Sequence, residues 1–106
     1  MSLPEIEPAE LAPELGKRDW CLLDVREDWE RDVVQIEGSL NIPLGTLQSR
    51  IDEVPADRPV AVLCHGGMRS AQAAAFLIHS GRSGIYNVTG GIDRWSTDVD
   101  PELPRY

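Results

Sequence analysis

Apolar residues recur along this chain in two rhythms. Trp20-Cys-Leu-Leu-Asp-Val25 and Val60-Ala-Val-Leu-Cys64 are short, nearly continuous apolar runs. That is the pattern of parallel strands covered on both faces. Ile85-Tyr-Asn-Val88 reads as a further strand. Elsewhere the spacing turns helical. Leu44, Leu47, Ile51 and Val54 recur at helical intervals with Gln48, Ser49, Arg50, Asp52 and Glu53 between them. Pro8, Leu11 and Leu15 predict a short first helix that Gly16 ends and Pro13 kinks or shortens. A helix over about 69–80 carries Ala71, Ala74, Ala75 and Ile78 on one face, and Gly81 follows as its C′ residue. Arg26 to Asp32 is charged and reads as one or two exposed helical turns. Pro55-Ala-Asp-Arg-Pro59 is a turn, and Gly90-Gly91 turns into a short helix bearing Trp95. Strands alternating with helices predict an α/β fold, a parallel sheet with helices on both faces.

The chemistry sits where one strand becomes a helix. Val60 to Cys64 ends in a cysteine, Gly66-Gly67 loop back, and a helix begins at about Arg69 or Ser70. Free N–H groups and the positive end of the helix dipole face that thiol and favour the reactive thiolate. In open parallel sheets, sites lie beyond the carboxyl ends of the strands. Asp24-Val-Arg26 ends a strand as well, so it opens on the same edge as Cys64.

The motif Cys64-His-Gly-Gly-Met-Arg-Ser70 resembles the active-site loop of rhodanese-like sulfurtransferase domains, written C-x-x-G-x-[RST]. Other segments agree in order: Leu22-Leu-Asp-Val-Arg-Glu27, Ile36-Glu-Gly-Ser-Leu-Asn-Ile-Pro43 and Tyr86-Asn-Val-Thr-Gly-Gly-Ile-Asp-Arg-Trp95. Together they span roughly residues 5 to 96. Gln35 stands where the family commonly has His, and Glu37-Gly38-Ser39 replaces its Pro-Gly-Ala. The resemblance implies a rhodanese-like central sheet of about five strands. It also implies transfer of sulfane sulfur from an anionic donor such as thiosulfate to a thiophilic acceptor such as cyanide or a thiol, through a Cys64 persulfide. The amides of His65, Gly66, Gly67, Met68 and Arg69 then cradle the sulfur. Arg69 orients the donor, Ser70 bonds the loop or caps the helix, His65 adds positive potential or meets the acceptor, Met68 stands at the rim, and Arg26 lines the entrance. Asp24 reads as a structural acceptor.

Loop length separates two classes. Phosphatases with a related loop use Cys-x5-Arg, whereas four residues lie between Cys64 and Arg69 here. The shorter ring suits sulfur and is cramped for a phosphate. A sulfur-relay or persulfide-carrier module for a protein partner is the alternative reading. Behind it come a cysteine-dependent phosphatase or arsenate reductase, and a silent regulatory domain.

Composition narrows the picture further. At 106 residues the chain is read as one domain, with an arm over 1–5 and an extended tail over 97–106. A net charge of −8 and no basic run exclude nucleic acid as a default partner. That charge also forces any anionic substrate to rely on local donors. No apolar run reaches the length of a membrane span, and the acidic start does not read as a signal peptide. A cytoplasmic monomer is expected, with no membrane partner, no cofactor and no metal. Cys21 and Cys64 are the two cysteines, which argues against a disulfide scaffold, and no histidines stand at zinc-ligand spacing. Cys21 reads as a buried strand thiol, His79 as a helix C-terminal cation, Trp95 as core, and Trp20 and Trp29 as partly exposed.

Overall fold

The computed structural model describes residues 3–17 and 19–106. Among the described residues five parallel strands form one sheet: β1 (Glu5–Ile6), β2 (Cys21–Asp24), β3 (Leu40–Asn41), β4 (Val60–Leu63) and β5 (Ile85–Val88). Their order is β1-β5-β4-β2-β3. The two central strands are in register from Cys21 opposite Val60 to Asp24 opposite Leu63. Four helices accompany them: α1 (Pro8–Leu15), α2 (Asp28–Val33), α3 (Met68–His79) and α4 (Gly91–Asp98).

The pleat of β4 divides the core in two. Val60, Val62 and Cys64 pack with Leu47, Val54, Ala73, Ala74 and Leu77 on one face. Ala61 and Leu63 pack with Leu11, Ile92 and Trp95 on the other. This is the two-sided burial that a continuous apolar run predicts.

Several elements differ from the sequence reading. Leu44–Thr46 and Gln48–Glu53 form two 3-10 segments, the second kinked at Arg50, in place of one helix. Arg82 on the far side of α3 donates to the carbonyls of Ile51 and Val54 at 3.0 and 2.8 Å and fixes that tight final turn. Helix α3 buries Ser70, Ala73, Ala74 and Leu77, while Ala75 is exposed and Ala71 only part-buried. The face is rotated because Ser70 is tied inward at the first turn. At the other end Gly81, with φ +96°, completes a Schellman turn. Its N–H meets the Ile78 carbonyl and the Arg82 N–H meets that of Leu77, both at 3.0 Å.

The arm expected over 1–5 lies outside the described residues at 1–2, and Glu5 belongs to the sheet as edge strand β1. The end of the chain is not a free extension. Residues 97 and 98 belong to α4, and Leu103 and Tyr106 fold back on the Trp95 cluster. Among the described residues no helix is long and apolar enough to cross a membrane.

Candidate active site

Cys64 is the first residue beyond β4 and is buried at 1% exposure. Gly67, at φ +108°, turns the chain into α3 and donates its N–H to Cys64 Sγ at 3.1 Å. Such a φ is open to glycine at no steric cost. Beneath the sulfur, Ser70 Oγ lies 3.3 Å from Sγ and donates to Asn87 Oδ1 at 2.5 Å. Asn87 in turn donates Nδ2 to the Gly67 carbonyl at 3.2 Å. The four residues close a ring that joins β4, α3 and β5. Ser70 therefore serves the loop and does not cap the helix, whose N-cap is Gly67.

The loop is also gripped from α4. The N–H groups of Ile92 and Asp93 donate to the carbonyls of Cys64 and His65 at 2.9 and 3.1 Å. Gly91 sits at φ +63°, and a Cβ there would overlap both carbonyl oxygens.

Cys64, His65, Gly66, Met68, Arg69 and Asp93 line an open pocket of about 300 Å³. Of the five amides expected to cradle the sulfur, that of Gly67 is within hydrogen-bond reach of Sγ. Those of Met68 and Arg69 belong to the first turn of α3, where helical N–H groups have no partner within the helix. Met68 stands at the rim, exposed to 83%.

Arg26 does not line the entrance. It is fully buried, and its guanidinium donates to Asp24, to the carbonyls of Glu30 and Val34, and to the Tyr106 hydroxyl. Asp24, equally buried, also accepts from Arg31 at 3.0 Å. Bonds of this kind make burial of a charged pair tolerable. The cation that lines the pocket is Arg69, whose Nη1 and Nη2 meet Oε1 and Oε2 of Glu30 at 2.5 and 2.7 Å. Glu30 also accepts from Tyr106 at 2.6 Å and from the Glu27 N–H at 3.0 Å. The His65 ring stacks on Tyr106 with centroids 4.2 Å apart.

Glu30, Asn87, Tyr106, Gly91 and Asp93 were not singled out as site residues from the sequence. One local signal for Glu30 existed: Glu27 and Glu30 stand at capping-box spacing, and each side chain bonds the other's backbone N–H. Cys21 is part-buried at the opposite end of β2 from Asp24, and burial pushes its thiol up. Among the described residues no cluster of His, Cys, Asp and Glu is placed to hold a metal ion.

The Arg69 hydrogen bonds, helped by Tyr106 and the Glu27 N–H, outweigh burial and hold the Glu30 carboxyl down at about 2. A carboxylate depressed in the fold adds stability above its ordinary value and loses it as pH falls. The contribution of Glu30 should be intact above about pH 4.5 and disappear toward about pH 2. Urea unfolding across that window should show a flatter pH dependence in Glu30→Gln than in the wild type. Parallel curves would mean that the carboxylate gains nothing from Arg69 in solution.

The family model described as Rhodanese-like domain matches residues 7–98. The chain is 41% identical to an uncharacterised protein, YqhL, of Bacillus subtilis, over 79% of this chain and 67% of that one. It is 33% identical to the thiosulfate sulfurtransferase GlpE of Pseudomonas syringae, over 90% of each. It spans only 26% of the probable adenylyltransferase/sulfurtransferase MoeZ of Mycobacterium tuberculosis, at 35% identity. Among solved structures, a rhodanese-related protein of Thermoplasma volcanium superposes with a TM-score of 0.85 at 33% identity, covering 97% of this chain and 99% of that one.

Proposed function

The chain belongs to the rhodanese-like domain family, and from that premise we propose that it moves sulfane sulfur from an anionic donor such as thiosulfate to a thiophilic acceptor through a persulfide on Cys64. The observation that carries this reading is the Cys64 sulfur itself, held by the Gly67 N–H at 3.1 Å at the mouth of α3. The Cys64 thiolate attacks the outer sulfur of thiosulfate. A Cys64 S–S bond forms, the S–S bond of the donor breaks, and sulfite leaves with the electron pair. Cyanide or a thiolate then takes the terminal sulfur and returns the Cys64 thiolate. This is two-step covalent catalysis.

The surroundings support each step. First-turn amides of α3 are the donors available to an anionic terminal sulfur. Ser70 has one hydroxyl hydrogen and two takers, Asn87 Oδ1 and Cys64 Sγ. While Cys64 is a thiol, Asn87 holds that hydrogen. A sulfur anion competes for it by charge. Grip from α4 keeps the loop in one shape through both half-reactions, the preorganisation that fixed donors need.

A relay role, passing the sulfur to a protein partner, uses the same persulfide, and the exposed Met68 beside the pocket favours an acceptor with apolar surface. The phosphatase reading is tested directly. With four residues between Cys64 and Arg69, steady-state assays should find thiocyanate formed from thiosulfate and cyanide, and essentially no hydrolysis of aryl phosphates. Efficient aryl phosphate turnover lost in Cys64→Ser, without sulfur transfer, would replace the sulfurtransferase reading.

A further inference from the structure

The charged side chains that line the Cys64 pocket are already paired. Arg69 holds both oxygens of Glu30, and across the pocket Asp93 accepts from Arg105 Nε and Nη2 at 3.0 and 2.8 Å. Glu30 cannot easily swing away. Its side chain is 3% exposed and is bonded at once to Arg69, to the Tyr106 hydroxyl and to the Glu27 N–H. Tyr106 is fixed from behind by Arg26 at 3.0 Å. A dianion entering this pocket meets loop amides but no uncompensated cation, within a chain of net charge −8. Beside these paired charges the rim carries apolar and aromatic groups. Met68 is exposed, the His65 ring lies on Tyr106, and the exposed Trp29 stands edge-on to Tyr106 at 5.9 Å.

Resting on the reading of Cys64 as the sulfur-carrying nucleophile, we propose that Glu30 is a specificity-determining residue. By neutralising Arg69 it turns the pocket away from doubly charged donors and toward persulfides carried on thiols, R–S–S⁻, whose R group rests on the rim of Met68 and His65. In that reaction the Cys64 thiolate attacks the outer sulfur of R–S–S⁻. A Cys64 S–S bond forms, the donor S–S bond breaks, and R–S⁻ leaves with the electron pair and takes a proton from water. The leaving group carries a single charge, whereas thiosulfate expels a doubly charged sulfite. A unit charge a few ångströms away in a partly wet pocket is enough to separate two such donors.

The test compares single-turnover loading of Cys64 by thiosulfate and by 2-mercaptoethanol persulfide, read by intact mass, with Cys64→Ser run alongside to report any uncatalysed exchange at Cys21. The wild type should load from the persulfide about tenfold faster or more at equal concentration. Glu30→Gln keeps a carbonyl oxygen for Arg69 and for the Glu27 N–H but frees the Arg69 charge. It should raise the thiosulfate-to-persulfide rate ratio by about tenfold. Arg69→Gln, at a side chain 35% exposed, leaves the Glu30 charge unopposed and should move the ratio the other way, so the proposal stays testable if the first variant folds poorly. A wild type that prefers thiosulfate, or a ratio unmoved by the substitutions, overturns the role of Glu30 while leaving sulfur transfer standing. Failure of both donors to load wild-type Cys64 overturns the sulfur-transfer reading and this one with it.

Discussion

Cys64→Ser should take up no sulfur at all. Incubated with thiosulfate, the wild type should gain about 32 Da, one sulfur on the thiolate nucleophile, and lose it again to cyanide. The variant should remain at its starting mass, with thiocyanate formation down by about 10³-fold or more, since a serine hydroxyl is a weak nucleophile at its free pKa. The exchange itself is mild for the fold. Sγ occupies a buried position with polar neighbours on one side, the Gly67 N–H and the Ser70 hydroxyl, which a serine oxygen can also meet. Thermal unfolding should therefore shift little, by about 1 kcal/mol or less. The one other thiol, Cys21, begins β2 at the far end from Asp24. Equal labelling of the wild type and Cys64→Ser would move the reactive sulfur there.

Gly91→Ala should be nearly as damaging, although Gly91 bears no chemistry. The added Cβ meets the carbonyl oxygens of Cys64 and His65, which are the acceptors through which α4 holds the loop. Backbone cannot rotate aside as a flexible side chain does, so the loop or the helix must move. Loss of a single preorganised donor costs on the order of 10² in rate, and here the whole set is displaced. Positive φ at Gly91 adds about 1 kcal/mol of strain to the clash. Gly81→Ala separates the two effects. Gly81 also has a positive φ, +96°, but a Cβ there meets nothing within 4 Å. It should lose about 1 kcal/mol of stability and keep its sulfur transfer rate. If Gly91→Ala transfers sulfur as fast as Gly81→Ala, the grip from α4 does not shape the site.

What the sequence revealed and what it hid follow from range. The strand at 60–63, the turn at Gly66-Gly67 and the helix after it are written in consecutive residues, and their pattern is local. The two-residue strands Glu5–Ile6 and Leu40–Asn41 carry no periodicity of their own. They exist because a neighbour offers a free edge. Arg26 to Asp32 read as solvated because runs of charge usually are, yet Arg26 and Glu30 are buried. Their burial depends on partners that sequence spacing does not reveal: Arg69 lies 39 positions from Glu30, and Tyr106 lies 76. Asn87 was legible as part of a strand but not as the acceptor for Ser70, 17 positions earlier. The nucleophile is thus a local feature and its support a tertiary one.

The strand order β1-β5-β4-β2-β3 has a consequence for how the chain is made. Glu5 pairs with Asn87, so β1 must wait for β5, the last strand of the sheet, before it has a partner. Such distant closure is slow, because loop entropy is lost before contacts repay it. Asn87, which anchors Ser70, and the α4 amides, which clamp the carbonyls of Cys64 and His65, both arrive after residue 85. A nascent chain stopped short of them carries the thiol on an unbraced loop. The loop is fully braced only once the segments after residue 85 have folded against it.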